Sequence, residues 1–179
     1  MPSFPHLSLI LGGARSGKSM FAERLATSAN RPRVYVATSQ AFDTEMEVKI
    51  AKHRQDRGPD WHTIEAPLDL ESPLAEASTN AIVLIDCLTL WLSNQMLAEA
   101  DIDAEITKLL TVLSETPNPV ICVSNEVGMG LVPDTPLGRQ FRDHQGRLNR
   151  KIAEHADLAV FVAAGLPLTL KGTLPEGMT

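Results

Sequence analysis

Gly12-Gly13-Ala14-Arg15-Ser16-Gly17-Lys18-Ser19 is the stretch on which the reading of this chain turns. It satisfies the pattern Gly-x-x-x-x-Gly-Lys-Ser at every fixed position, and its setting matters as much as its letters. The apolar run Leu7–Leu11 stands before it, and a segment with Phe21 and Leu25 four residues apart follows, so the order is strand, loop, helix. Glycines let the backbone turn so that successive N–H groups face one point at the positive end of a helix, where phosphate oxygens are held. Lys18 then reaches the β- and γ-phosphates as a point charge, and the Ser19 hydroxyl is a ligand for Mg²⁺. A glycine-rich turn of no function would not need the strand before it and the helix after it. The expectation is a nucleoside triphosphate seated on Gly12–Ser19.

Working outward, short apolar runs recur at Val34–Ala37, Ile82–Ile85, Val120–Val123 and Leu158–Ala163. Most lack polar alternation, as expected of parallel strands buried on both faces. Between them lie amphipathic stripes: Ile102, Ile106, Leu109, Leu110 and Leu113 form one, and Phe141, Leu148 and Ile152 another. Alternating strands and helices predict an α/β fold, a mostly parallel central sheet with helices on both faces. Ile82-Val83-Leu84-Ile85-Asp86 ends a buried strand on a carboxylate, the place for an acid that holds Mg²⁺ through water. A helix cap or turn residue is the other reading of Asp86.

The 179 residues suit a single domain, 1–179, with residues 172–179, rich in Gly, Pro and Thr, read as a loose tail. A net charge of -6 and the lack of a basic stretch argue against nucleic acid as a partner. Cys87 and Cys122 sit in or beside apolar runs and read as buried free thiols, which fits a reducing cytoplasm. The N-terminus lacks the features of a secretory signal, and no apolar run approaches the roughly 20 residues that span a bilayer. A cytoplasmic location without membrane insertion is expected.

Two further regions hold residues with chemistry. Asp43–Arg57 reads as a helix with Met46, Ile50, His53 and Arg57 on one face and Lys49, Lys52 and Arg54 around it. Cations beside an imidazole favour its neutral form, a nucleophile towards phosphorus. Spacing alone, however, favours the plainer reading of His53, a packed or surface residue of a basic helix. Asn125–Pro133 directly follows the strand Val120–Val123 and either borders the ligand site or is an ordinary Gly/Pro turn. In the next helix Arg139 and Arg142 are candidates to clamp a phosphate, or belong to a solvated face. His6, His62, His144 and His155 have no ligand-like spacing. The guanine-reading tetrad Asn-Lys-x-Asp of switch GTPases is absent.

Taken together, Gly12–Ser19, Tyr35-Val-Ala-Thr-Ser-Gln40, Glu45-Met46 with Lys49-Ile50 and His53-Arg54, Ile85–Asn94, Asn125–Pro133, and Phe141-Arg-Asp143 with Gly146 and Leu148-Asn149 resemble a specific family. It is the bifunctional adenosylcobinamide kinase/adenosylcobinamide-phosphate guanylyltransferase of cobalamin biosynthesis, matched from about Leu7 to Lys171. The resemblance implies a P-loop fold of RecA type, assembled as a homotrimer. It implies phosphorylation of adenosylcobinamide with ATP or GTP. Transfer of GMP from GTP to adenosylcobinamide phosphate then gives adenosyl-GDP-cobinamide and pyrophosphate. His53 matches the position of the family's GMP-histidine intermediate. GTP contacts are implied for Gly12, Gly13, Ala14, Arg15, Ser16, Gly17, Lys18 and Ser19, for Thr38, Ser39 and Gln40, and for Arg54, Gln55, Asp56 and Arg57. Glu65 and Asp86 complete the implied set, with Mg²⁺ on Ser19 and Asp86. A carboxylate at Glu65 suits guanine, because it accepts from both N1–H and the exocyclic amine. A P-loop kinase without nucleotidyl transfer, and a nucleotide-dependent regulator, are the other readings the residues allow.

Overall fold

The computed structural model describes residues 4–40 and 58–178. The expected helix Asp43–Arg57, and with it His53, Arg54, Gln55, Asp56 and Arg57, lies outside the described residues. Among the described residues, seven strands form one sheet in the order β3-β2-β4-β5-β1-β6-β7. They are β1 (Leu7–Gly12), β2 (Arg33–Ala37), β3 (Trp61–Glu65), β4 (Ile82–Asp86), β5 (Val120–Asn125), β6 (Leu158–Ala163) and β7 (Leu166–Lys171). All neighbours pair in parallel except β6 and β7, which form an antiparallel hairpin. The helices described are α1 (Lys18–Ser28), α2 (Glu71–Glu76), α3 (Leu88–Leu97), α4 (Ile102–Glu115) and α5 (Pro136–His155).

The runs without polar alternation are buried because helices cover both faces. Leu9, Val83, Ile85 and Cys122 point to one side and pack with Leu92, Ile106, Leu148 and Ile152 of α3, α4 and α5. Ile10, Leu84, Ile121 and Val123 point to the other, against Phe21 and Leu25 of α1. Fully burying each such side chain stabilises the fold by about 1.5–3 kcal/mol. Helix starts are fixed locally. Asp101 caps α4 by accepting from the N–H groups of Asp103 and Ala104 at 3.1 Å each. Thr135 caps α5 through Gly138 N–H at 3.1 Å, with Pro136 at the first helical position. At the far end of α5, Lys171 Nζ donates to the carbonyls of Ala153 and Glu154 at 3.0 Å, a cation at a helix C-terminus.

The five anticipated strands are all present, and two more flank them. β3 and β7 are the sheet's edges, where fewer apolar residues are needed. β3 is held by its outer residues: Arg33 pairs with Asp60 at 3.1 Å and lies 5.6 Å over the Trp61 ring, which meets Tyr35 edge-on. The segment after Lys171, read as loose, brings Met178 to 4% exposure in the α1-side cluster, with Leu174 packed on it. Cys87 and Cys122 are buried and unpaired, as expected.

Candidate nucleotide site

The carboxyl ends of the parallel strands converge on one edge, and β1 opens directly into the Gly12–Ser19 loop. Gly17 ends the loop with φ at 94°, a left-handed turn that hands the chain to α1 without a capping side chain. The N–H groups of the first turn of α1 therefore have no side-chain acceptor, which is the condition for binding an anion. Gly12 has no room for a side chain, since a Cβ would lie 2.6 Å from the Val162 carbonyl oxygen. At Gly17 a Cβ would come within 3.1 Å of Gly165 Cα. Gly165, in the β6–β7 turn, donates its N–H to the Ser16 carbonyl at 2.8 Å, so the hairpin braces the loop from below. Lys18 is 9% exposed, and its ammonium donates to the Gly13 carbonyl at 3.1 Å, folded over the loop. Ala14 and Arg15 face solvent, and Ser19 is half-buried in the first turn of α1.

Asp86 ends β4, two strands from β1 with β5 between them. Ile82 and Leu84 pack in the α1 cluster, so the alternation of side chains puts Asp86 on the α1 side as well. Its turn is clamped by Thr38. Thr38 Oγ1 accepts from Cys87 N–H at 2.8 Å and donates to the Cys87 carbonyl at 2.7 Å, while Thr38 N–H donates to the Asp86 carbonyl at 3.3 Å. The Asp86–Cys87 peptide is cis. Thr38 is fully buried and its carbonyl accepts from Asn94, so all its polar groups are used within the protein. It supports the Asp86 turn and offers no free hydroxyl to a nucleotide. Ser39 and Gln40 next to it are half-buried.

Glu65 is exposed at the end of β3, in register with Ala37, which is in register with Asp86. Glu65 and Gly12 are thus four strand spacings apart along the same edge, on the order of 19 Å. α3 fixes this side of the site. Asn94 Nδ2 also donates to the Pro67 carbonyl, and Trp91 Nε1 and Gln95 Nε2 both donate to the Leu68 carbonyl, all between 2.9 and 3.0 Å.

The Asn125–Pro133 loop does border the phosphate loop: Glu126 N–H donates to the Gly12 carbonyl at 3.1 Å. The Glu126 carboxylate turns back onto Gly128 N–H. The arginines of α5 are otherwise occupied. Arg139 holds the carbonyls of Pro133 and Asp134 at 2.9 Å, and Arg142 lies 3.6 Å from Asp143.

Sequence reasoning missed a buried polar cluster behind this loop. Ser124 Oγ donates to Asn149 Oδ1 at 2.6 Å and accepts from Gln145 Nε2 at 2.9 Å. Asn149 Nδ2 donates to the Asn125 carbonyl at 3.0 Å. The signal was available, since Gln145 and Asn149 are four apart on the same stripe as Leu148 and Ile152. Burial pushes the thiol of Cys87 up to about 11, helped by the adjacent Asp86 charge. It stays protonated beside the site and is no nucleophile at neutral pH.

The fold is that of P-loop NTPases. The flagellar accessory protein FlaH of Methanocaldococcus jannaschii superposes with a TM-score of 0.53 at 17% identity, covering 96% of this chain and 81% of FlaH. The EscN ATPase of the enteropathogenic E. coli type III secretion system gives 0.57 at 12% identity, over 90% of this chain and 43% of EscN. Sequence relatives are far more similar. The bifunctional adenosylcobalamin biosynthesis protein CobP of Pseudomonas aeruginosa is 48% identical over 167 residues, 92% of this chain and 96% of that protein. CobU of Escherichia coli K12, with the same description, is 37% identical over 179 aligned residues, 91% of this chain and 98% of that protein. The family model for cobinamide kinase / cobinamide phosphate guanyltransferase matches residues 8–170, which reaches from β1 into β7 and takes in the phosphate loop and Asp86. By its sequence, the chain belongs to the cobinamide kinase / cobinamide phosphate guanyltransferase family.

Proposed function

We propose that this chain performs both reactions of its family at the carboxyl edge of the sheet, using Gly12–Ser19 for the triphosphate in each. The observation that carries this reading is the alignment of the phosphate loop, Asp86 and Glu65 along one edge. In the kinase step the hydroxyl oxygen of adenosylcobinamide attacks the γ-phosphorus of ATP or GTP. The bond to the β-phosphate oxygen breaks, and the nucleoside diphosphate leaves. The loop amides, Lys18 and the end of α1 offset the charge that builds on the transferred group. In the transfer step an imidazole nitrogen of His53 attacks the α-phosphorus of GTP and pyrophosphate leaves. The phosphate oxygen of adenosylcobinamide phosphate then displaces the histidine, giving adenosyl-GDP-cobinamide.

Ser19 and Asp86 supply hard oxygen donors, and among the described residues no three His, Cys, Asp or Glu side chains form a metal cage. This donor set fits Mg²⁺, which keeps several waters and leans on substrate phosphates, where it would neutralise charge on the triphosphate. Glu65 is the candidate reader of guanine, its exposure leaving both oxygens open to N1–H and the exocyclic amine. Ser39, Gln40 and Arg54–Arg57 are the candidate contacts between base and phosphates. We further read the protein as a cytoplasmic homotrimer without nucleic-acid partners. The exposed leucines of edge strand β7, Leu166, Leu168 and Leu170 at 71%, 60% and 57% exposure, support self-association.

Incubation with GTP labelled at the α-phosphate tests the covalent step. Wild type is expected to carry acid-labile label that adenosylcobinamide phosphate removes. His53→Asn is expected to lose the label and keep the kinase step. Labelling of His53→Asn at the wild-type level would end the histidine role.

A further inference from the structure

The buried cluster behind the Asn125 loop is costly for a strand end. Ser124 and Gln145 are fully buried and Asn149 is 6% exposed, and Gln145 Oε1 has no partner among the described residues. Such a network rigidifies what it holds. What it holds is the backbone of one residue: Asn125 N–H donates to Thr89 Oγ1 at 2.7 Å, and its carbonyl accepts from Asn149. Both main-chain groups of Asn125 are thus fixed by side chains from two different helices, α3 and α5.

The side chain of Asn125 is the part left over. Ile121 and Val123 pack in the α1 cluster while Val120 and Cys122 pack on the opposite face, so alternation puts Asn125 on the α1 side. In register it stands beside Gly12, and Val123, two residues before it, stands beside Asp86. Asn125 therefore lies between the phosphate loop and the acid strand, level with Gly12 and two residues further out than Asp86. Its carboxamide has no hydrogen-bond partner among the described residues.

We propose that Asn125 reads the terminal phosphate, its Nδ2 donating to a γ-phosphate oxygen of the triphosphate on Gly12–Ser19, with Thr89, Gln145 and Asn149 as the positioning residues that hold it there. The proposal rests on the reading that this loop holds the triphosphate. The donor is neutral and fixed, which suits it to charge that spreads over the γ-phosphoryl oxygens during transfer. It has nothing to bind once the γ-phosphate has gone, so it favours triphosphate over diphosphate product.

The test titrates full-length wild type, Asn125→Ala and Asn125→Asp with a non-hydrolysable GTP analogue and with GDP, both with MgCl₂, and measures kinase turnover with adenosylcobinamide. Both variants should keep GDP affinity within about twofold and lose about tenfold or more for the triphosphate, the scale of one hydrogen bond to a charged group. Asn125→Asp, of equal size but anionic, should lose more than Asn125→Ala. Asn149→Ala should show the same triphosphate-selective loss in weaker form, which a purely structural role would not produce. Equal weakening for GTP analogue and GDP, or no weakening with unchanged turnover, would overturn the role of Asn125 and leave the proposed function standing. A wild type that holds the GTP analogue no better than GDP would remove the triphosphate reading and this inference with it.

Discussion

Thr38 illustrates how a single hydroxyl can organise the acid side of the site. Its Oγ1 serves both polar groups of Cys87, the residue after Asp86. Thr38→Val keeps the shape and removes the oxygen, leaving a buried N–H and C=O without their partner at a cost of about 1–3 kcal/mol. Urea unfolding should show that loss at unchanged m-value. Kinase activity should fall further than stability explains, because Asp86 is no longer held. A variant within about 0.5 kcal/mol of wild type, the usual range for surface changes, would show the clamp to be idle. At this scale the sequence was legible where chemistry demands one residue type. Lys18, the loop glycines and Asp86 could be named from the sequence because a phosphate loop and its acid ask for those residue types at those spacings. Thr38 was named for the right neighbourhood, but its buried bond to Cys87, 49 residues away in the chain, leaves no trace in a local pattern. Gln145 and Asn149 escaped for a related reason: amides on an amphipathic stripe read as interruptions of the core until their partners are known.

Among the elements, the β6–β7 hairpin has the closest link to the phosphate loop. Its turn is built from Ala164 and Gly165, with φ of 53° and 78°, and Gly165 N–H holds the Ser16 carbonyl. A Cβ at Gly165 would meet no atom within 4 Å, so backbone conformation and not space is the constraint there. Gly165→Val should therefore cost about 1–2 kcal/mol through left-handed strain and loosen the loop. Gly165→Asn, which tolerates that conformation, should stay close to wild type. Thermal melts and GTP titrations of the pair measure this, and equal behaviour of Val and Asn would remove the hairpin from the account. The five inner strands were legible as unbroken apolar runs because both their faces are covered. β3 and β7 were not, since edge strands face solvent on one side and need no such run. In β3 the sequence Trp61-His62-Thr63-Ile64-Glu65 carries a single aliphatic residue.

Over the whole molecule, the two faces of the sheet are filled without a disulfide, and both thiols lie within the core. Burial pushes Cys122 up to about 12 and Cys87 up to about 11, from an ordinary value of 9.0. Each thiol binds its proton more tightly when folded, so the contribution is complete below pH 9 and is lost as pH rises towards the folded values. Above pH 9 the unfolded chain releases protons that the folded chain keeps, and stability should fall by up to about 1.4 kcal/mol per pH unit per thiol. Urea midpoints measured between pH 8 and pH 11 should decline, and Cys122→Ala should flatten the decline. A midpoint independent of pH in that window would contradict the burial of both groups. The family resemblance was legible at this scale because four of its motifs, Gly12–Ser19, Tyr35–Gln40, Ile85–Asn94 and Asn125–Pro133, lie at the carboxyl ends of strands, along one edge of the sheet.

The placement of β1 has a consequence for synthesis on the ribosome. The strand that leads into the phosphate loop has β5 and β6 as its neighbours, and the loop rests on a turn at residue 165. All three lie downstream of it, so residues 7–17 leave the ribosome long before anything they pair with. At usual elongation rates the interval before β5 follows is roughly 6–23 s. During that time an apolar strand, Leu7–Leu11, is exposed with both edges open, and the nascent chain has no place to hold a nucleotide. Ligand cannot guide the early steps of folding; it can only select chains that are nearly complete.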